Sequence, residues 1–138
     1  MSECDASAEI DYGPLAGLIG TWEGNKGLDV SPEPDGREES PYYETIAFET
    51  VGDVTNAESQ RLVVARYQQI VRRKSTDKVF HDQTGYWMWD ADAGAVMQSL
   101  TIPRAVCVLA GGVSMGQAIH PAQLRWRSLQ SWEIPIGV

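Results

Sequence analysis

Between residues 42 and 110 the chain is a succession of short β-rich runs divided by turn formers, and this pattern leaves room for little except an antiparallel sheet. The runs "YYETIAFETV" (42–51), "VFHDQTGYWMWD" (79–90), "AVMQSLTI" (95–102) and "AVCVLA" (105–110) are rich in β-branched and aromatic residues. Gly52-Asp53, the stretch from Asp90 to Gly94, and Pro103 bound them. "DADAG" at 90–94 makes a short hairpin turn between two alternating runs. Connections this short cannot carry the crossover of a parallel βαβ unit, so an antiparallel meander is expected.

The segment "NAESQRLVVARYQQIVRRK" (56–74) fits two patterns. As a helix it has an Asn cap, with Val63, Tyr67 and Ile70 at helical spacing. As a strand it places Val63, Ala65, Tyr67 and Val71 on one side, with Gln69 among them. The neighbouring strands favour the second, and a strand is expected. Residues 1–12 read as a flexible leader. "GPLAGLIG" after them suggests one short helical turn with Pro near its start and Gly at its end. Gly, Pro, Asp and Ser crowd the following stretch, so 25–41 is expected to be mostly loop.

The length of 138 residues suits one domain with one core. A hydrophobic fraction of 43% against 22% charged residues is too apolar for a disordered chain. The net charge of −8 argues against nucleic acid or an anionic membrane as partner, since the field of the protein repels both. The acidic N-terminus lacks the apolar core of a secretory signal, and no apolar run is long enough to span a membrane. Cys4 and Cys107 have neither metal spacing nor a disulfide framework, and Cys107, within "AVCVLA", is expected to be a small buried apolar residue. A cytoplasmic protein is expected.

Side chains that could carry chemistry are few. No pair of His or Cys has zinc spacing, and Ser99 and Ser114 lack a nucleophile-elbow setting, so no catalytic residue and no metal site is assigned. His120 carries little functional weight. His81 and Asp82 are neighbours on a strand and face opposite sides, so they form no dyad. His81 does share its face with Trp87 and Trp89. If that face is inward, the imidazole looks into an aromatic pocket.

Three stretches together, "GPLAGLIGTWEGNKG" (13–27), "YYETIAFETVGD" (42–53) and "FHDQTGYWMWDADAGAVMQSLTIPRAVCVLAGG" (80–112), resemble the nitrobindin family of haem-binding β-barrels, which are shaped like fatty-acid-binding proteins. In the family motif G-x-W-x-G-x-G, Gly20, Trp22 and Gly24 match and Lys26 replaces the last glycine. The family loop carrying Tyr-Pro-Thr is replaced by "LDVSPEPDGRE". The strand motif H-x-E-x-G-Y corresponds to "HDQTGYW", where His81 matches the distal-side histidine and Gln83 replaces the acid.

The resemblance implies an all-β, calycin-type antiparallel meander barrel over 13–112, with one short N-terminal helix. It also implies haem b or a small hydrophobic ligand in the barrel cavity, with His81, Gln83, Trp87 and Tyr67 as pocket candidates. At ferric haem the family handles nitric oxide or peroxynitrite, but no axial histidine is identified in this chain. Trp22 itself is expected to plug the closed end of the barrel.

Six strands are expected up to Ala110, against about ten in a complete barrel of the family. The stretch 113–138 differs in character, since Glu133 is its single acid among the nineteen in the chain. Residues 113–138 are therefore expected to be an atypical tail, read out of frame, and the barrel to be incomplete. Three functions remain open: a haem barrel, a haem-free barrel for a small apolar molecule, or a fragment that self-associates through open strand edges.

Overall fold

A computed structural model describes residues 9–113. A short 3₁₀ turn, Gly13–Leu18, precedes six strands: β1 (Gly20–Glu33), β2 (Gly36–Asn56), β3 (Gln60–Arg73), β4 (Val79–Asp90), β5 (Ala95–Ile102) and β6 (Val106–Val113). They form one antiparallel sheet in the order β1-β2-β3-β4-β5-β6, an all-β meander that makes a half-barrel. The strand reading of 56–74 holds, and so does the hairpin turn before Gly94. Residues 1–8 of the expected leader, His120 and the expected atypical tail after Val113 lie outside the described residues.

Two expectations fail along β1 and β2. Residues 25–41 are strand rather than loop, because β1 and β2 stay paired from Gly20 with Phe48 to Glu33 with Gly36. The prolines, serines and acids that suggest a loop sit on the hairpin at the end of the sheet, where among the described residues β1 has a ladder on one side only. Gly52 likewise does not end a strand. The ladder between β2 and β3 shifts register between Thr50 and Gly52, φ at Gly52 is 111°, and the strand resumes through Asn56. Polar residues and a glycine mark a bulge here, which local composition cannot tell from a turn.

A third expectation fails at Cys107, which is exposed. It pairs with Thr101 across the last ladder, and β6 has no further neighbour among the described residues to cover its outer side.

The register stacks inward residues into cross-strand rows. Phe48, Tyr67, Gly85, Leu100 and Val108 form the central row. Leu15 and Leu18 of the 3₁₀ turn, both fully buried, pack with Phe48, Tyr67 and Leu100 as the core. The turn is held in place by its close approach to β4, where φ at Gly13 is 48° and a Cβ would collide with the Trp89 ring. Trp22 donates its indole N–H to the Leu18 carbonyl at 2.8 Å, tying β1 to the turn that caps this end.

Gly85 sits in the middle of the central row because β5 comes closest to β4 there. A Cβ at Gly85 would collide with the Ser99 carbonyl and lie 2.8 Å from Leu100 Cα. Gly85→Ala is expected to lower stability by about 2 kcal/mol or more, since backbone and not a flexible side chain must move. Urea unfolding followed by circular dichroism measures this, and a midpoint unchanged from wild type would show that β4 and β5 are free to separate there.

Candidate functional site

Alternation along each strand sorts side chains onto two faces, and the inner face changes in polarity from one end to the other. At the end capped by the 3₁₀ turn, the rows are Val63, Trp89 and Val96, then Ala65, Trp87, Gln98 and Ala110. At the opposite end they are Trp22, Ile46, Gln69 and Gln83, then Gly24, Glu44, Val71 and His81. The first end is almost wholly apolar and aromatic, and the second carries one carboxylate, two amides and an imidazole.

Tyr67 stands between them and is only 4% exposed. Its ring stacks on Phe48 with centroids 5.6 Å apart. Its phenol oxygen accepts hydrogen bonds from Gln83 Nε2 and, at 2.8 Å, from Gln98 Nε2. Burial pushes the phenol pKa above its ordinary value, and the two amide donors work against that rise. The Gln83 amide also faces the other way, with its Oε1 3.2 Å from His81 Nε2. A polar chain thus runs from His81 through Gln83 and Tyr67 to Gln98, across β4, β3 and β5. Beside it, Gln69 Nε2 donates to Glu44 Oε2 at 2.6 Å, so this inward carboxylate has a partner.

All four pocket candidates read from the sequence, His81, Gln83, Trp87 and Tyr67, therefore share one face, and the motif residues Gly20, Trp22 and Gly24 lie along its β1 margin. Trp22 is half-buried against the core, in the row next to the central one. The missing third glycine of the motif is made good one residue later. The ladder shifts register between Gly24 and Gly27, and a side chain at Gly27 would collide with the Tyr42 ring. Sequence reasoning passed over Glu44, Gln69 and Gln98 as site residues. Their signal is parity alone: each alternates with apolar neighbours on a strand and falls on the buried side.

One group on this face lacks a partner. Trp87 Nε1 is covered from solvent and meets no acceptor among the described residues. A sheltered N–H of this kind costs about 1–3 kcal/mol unless something accepts from it. Depressions also exist elsewhere: one of about 560 Å³ lies beside Glu49, Arg66, Gln68 and Asp82 on the opposite face. Its charges are solvated, and Arg66 is already paired with Glu49 at 2.6 Å.

The face suits a flat apolar molecule held at one side by fixed polar groups. For a haem macrocycle, the half-buried Trp87 and Trp89 are the apolar surface left open, since Phe48 and Leu100 are covered by Leu15 and Leu18, and His81 is the one imidazole among the described residues. No cluster of three His, Cys, Asp or Glu exists among the described residues, so a metal held by protein ligands alone has no site there.

Fold and face together define a β-meander domain whose concave side is built for a ligand. The profile of the THAP4-like, heme-binding beta-barrel domain matches residues 11–128, and the chain belongs to that family. Neither curated proteins nor solved structures give a match.

The Tyr67 hydroxyl carries the two amides that line this face. Tyr67→Phe leaves Gln83 and Gln98 Nε2 without an acceptor and is expected to lower stability by about 1–2 kcal/mol at nearly constant volume. A urea midpoint equal to wild type would mean that the two amides find other partners at no cost.

Proposed function

We propose that the inner face of the half-barrel binds haem b, or a small hydrophobic ligand of similar breadth, with His81, Gln83, Trp87 and Tyr67 in contact with it. The observation that carries this reading is the division of the face: an aromatic, apolar end against which a ring system can lie, and a polar end whose groups are fixed by one another. Membership of a heme-binding family supports haem as the first candidate. Haem, when bound, would supply an iron centre for nitric oxide or peroxynitrite, the chemistry that the nitrobindin resemblance implies. The chain's own part is to bury the ring, exclude water from its apolar side and present the His81 imidazole and the Tyr67 phenol to the pocket.

Titration with hemin tests the proposal. A saturable Soret band is expected, and His81→Ala should change its position or intensity. An unchanged spectrum in that variant removes His81 from the site. Absence of any Soret band overturns the haem reading and leaves the haem-free ligand, whose binding needs only the apolar wall.

The strand edges favour a second property. Among the described residues β1 and β6 are paired on one side only, and Leu28, Val30, Val106 and Leu109 on them are exposed. We infer that copies associate through these edges. Sedimentation velocity should show a coefficient that rises with concentration, and a single monomer boundary over a hundredfold range would refute this.

A further inference from the structure

The inner face holds two neutral donors for which no acceptor stands among the described residues. Trp87 Nε1 has no acceptor among the described residues. The Tyr67 oxygen already receives two amide hydrogens, from Gln83 and Gln98, so its own hydrogen must point away from both. The two donors flank one side chain: Gln98 lies opposite Trp87 in the ladder and bonds to Tyr67. Among the described residues no lysine or arginine bonds to any member of the cluster, which consists of two amides, a phenol and an indole. The carboxylate on this face, Glu44, stands in the row of His81 and is held by Gln69, which lies opposite Gln83.

From this arrangement we propose that the site selects an apolar ring molecule bearing a neutral acceptor oxygen, a ketone or quinone carbonyl, received by Trp87 Nε1–H and Tyr67 O–H. The proposal rests on the ligand-binding reading of this face and names the chemistry the face would recognise. The neutrality of the cluster decides between acceptors, because a carboxylate moved into such a site without a cation loses hydration that two neutral donors do not replace. The indole N–H is sheltered and not open, so the oxygen enters where Gln98 now stands. Gln98 is half-buried, and its amide bond to Tyr67 can be exchanged for the ligand's.

The test uses three probes of nearly one shape, 2-acetylnaphthalene, 2-isopropylnaphthalene and 2-naphthoate, titrated calorimetrically into the full chain. The ketone should bind about tenfold more tightly than the hydrocarbon, equivalent to about 1.4 kcal/mol, and more tightly than the carboxylate. Trp87→Phe and Tyr67→Phe, each checked for native circular dichroism, should bind the hydrocarbon within about twofold of wild type and lose most of the preference for the ketone. Equal binding of ketone and hydrocarbon to wild type, or a preference that survives both substitutions, overturns the proposal while the ligand-binding face stands. Tighter binding of the carboxylate overturns it as well. Failure of all three probes to bind overturns the face reading, and this proposal with it.

Discussion

The inside of this sheet is organised around a single buried phenol. Tyr67 comes from β3, stacks on Phe48 of β2, receives amides from β4 and β5, and rests against Leu15 and Leu18 of the 3₁₀ turn. Four strands and the cap therefore meet at one side chain. Register depends on it, because the preceding residue is Arg66, whose guanidinium lies outside and pairs with Glu49. A slip of one residue would exchange the buried phenol for a charge and turn the whole apolar set of β3 outward. The cost of burying an uncompensated guanidinium makes such a slip unfavourable by several kcal/mol. Position and register are thus fixed by the same residue that gives the face its polar centre.

Absent side chains shape the face as much as those present. Gly85 stands beside Tyr67 in the central row and lets the β5 backbone close on β4. The register shift between Gly24 and Gly27 bends β1 where it passes the Tyr42 ring. Such bulges and close approaches increase the coiling of a sheet, and coiling turns a row of alternating residues into a concave wall. Asp90 performs a related task at the end of β4: Oδ1 accepts from the Ala93 backbone N–H at 3.0 Å and Oδ2 from Gln60 at 3.1 Å, which ties the hairpin turn to the start of β3. The Ala93 backbone bond, with Gln60 second, holds its carboxyl below the usual range.

Alternation made the strands legible, and parity made the face legible. His81, Trp87 and Trp89 were placed on one side by odd numbering alone, and Tyr67 by its spacing from Val63 and Val71. What alternation could not supply was the state of edge strands. Pro32, Ser40 and the acids 38–39 look like loop residues, yet they pair across the first hairpin, at the end of the sheet where, among the described residues, β1 has a ladder on one side only. Cys107 misled for the opposite reason: an apolar run implies burial only where another layer lies over it, and among the described residues β6 ends the sheet. Gln69 was placed on this face but given no role, and Gln98 and Glu44 were passed over, because a polar residue with inward parity looks like a flaw in a pattern. Its meaning appears only when the register shows which polar partner stands opposite.

Charge and site chemistry act in one direction. The chain carries −8 overall, and four of its arginines are already paired with carboxylates: Arg37 with Glu39, Arg61 with Asp53, Arg66 with Glu49 and Arg73 with Glu38. The field of such a protein lowers the local concentration of anions within roughly a Debye length, about 8 Å at physiological salt. Inside the half-barrel the groups surrounding the phenol are neutral dipoles, and a dipole that is already oriented loses little on meeting another dipole but compensates poorly for a desolvated ion. A neutral ring molecule meets neither barrier, whereas a carboxylate meets the field at the surface and the neutral wall behind it. If the face binds as proposed, shape and neutral hydrogen bonding would set its selection, and the net charge would act in the same direction.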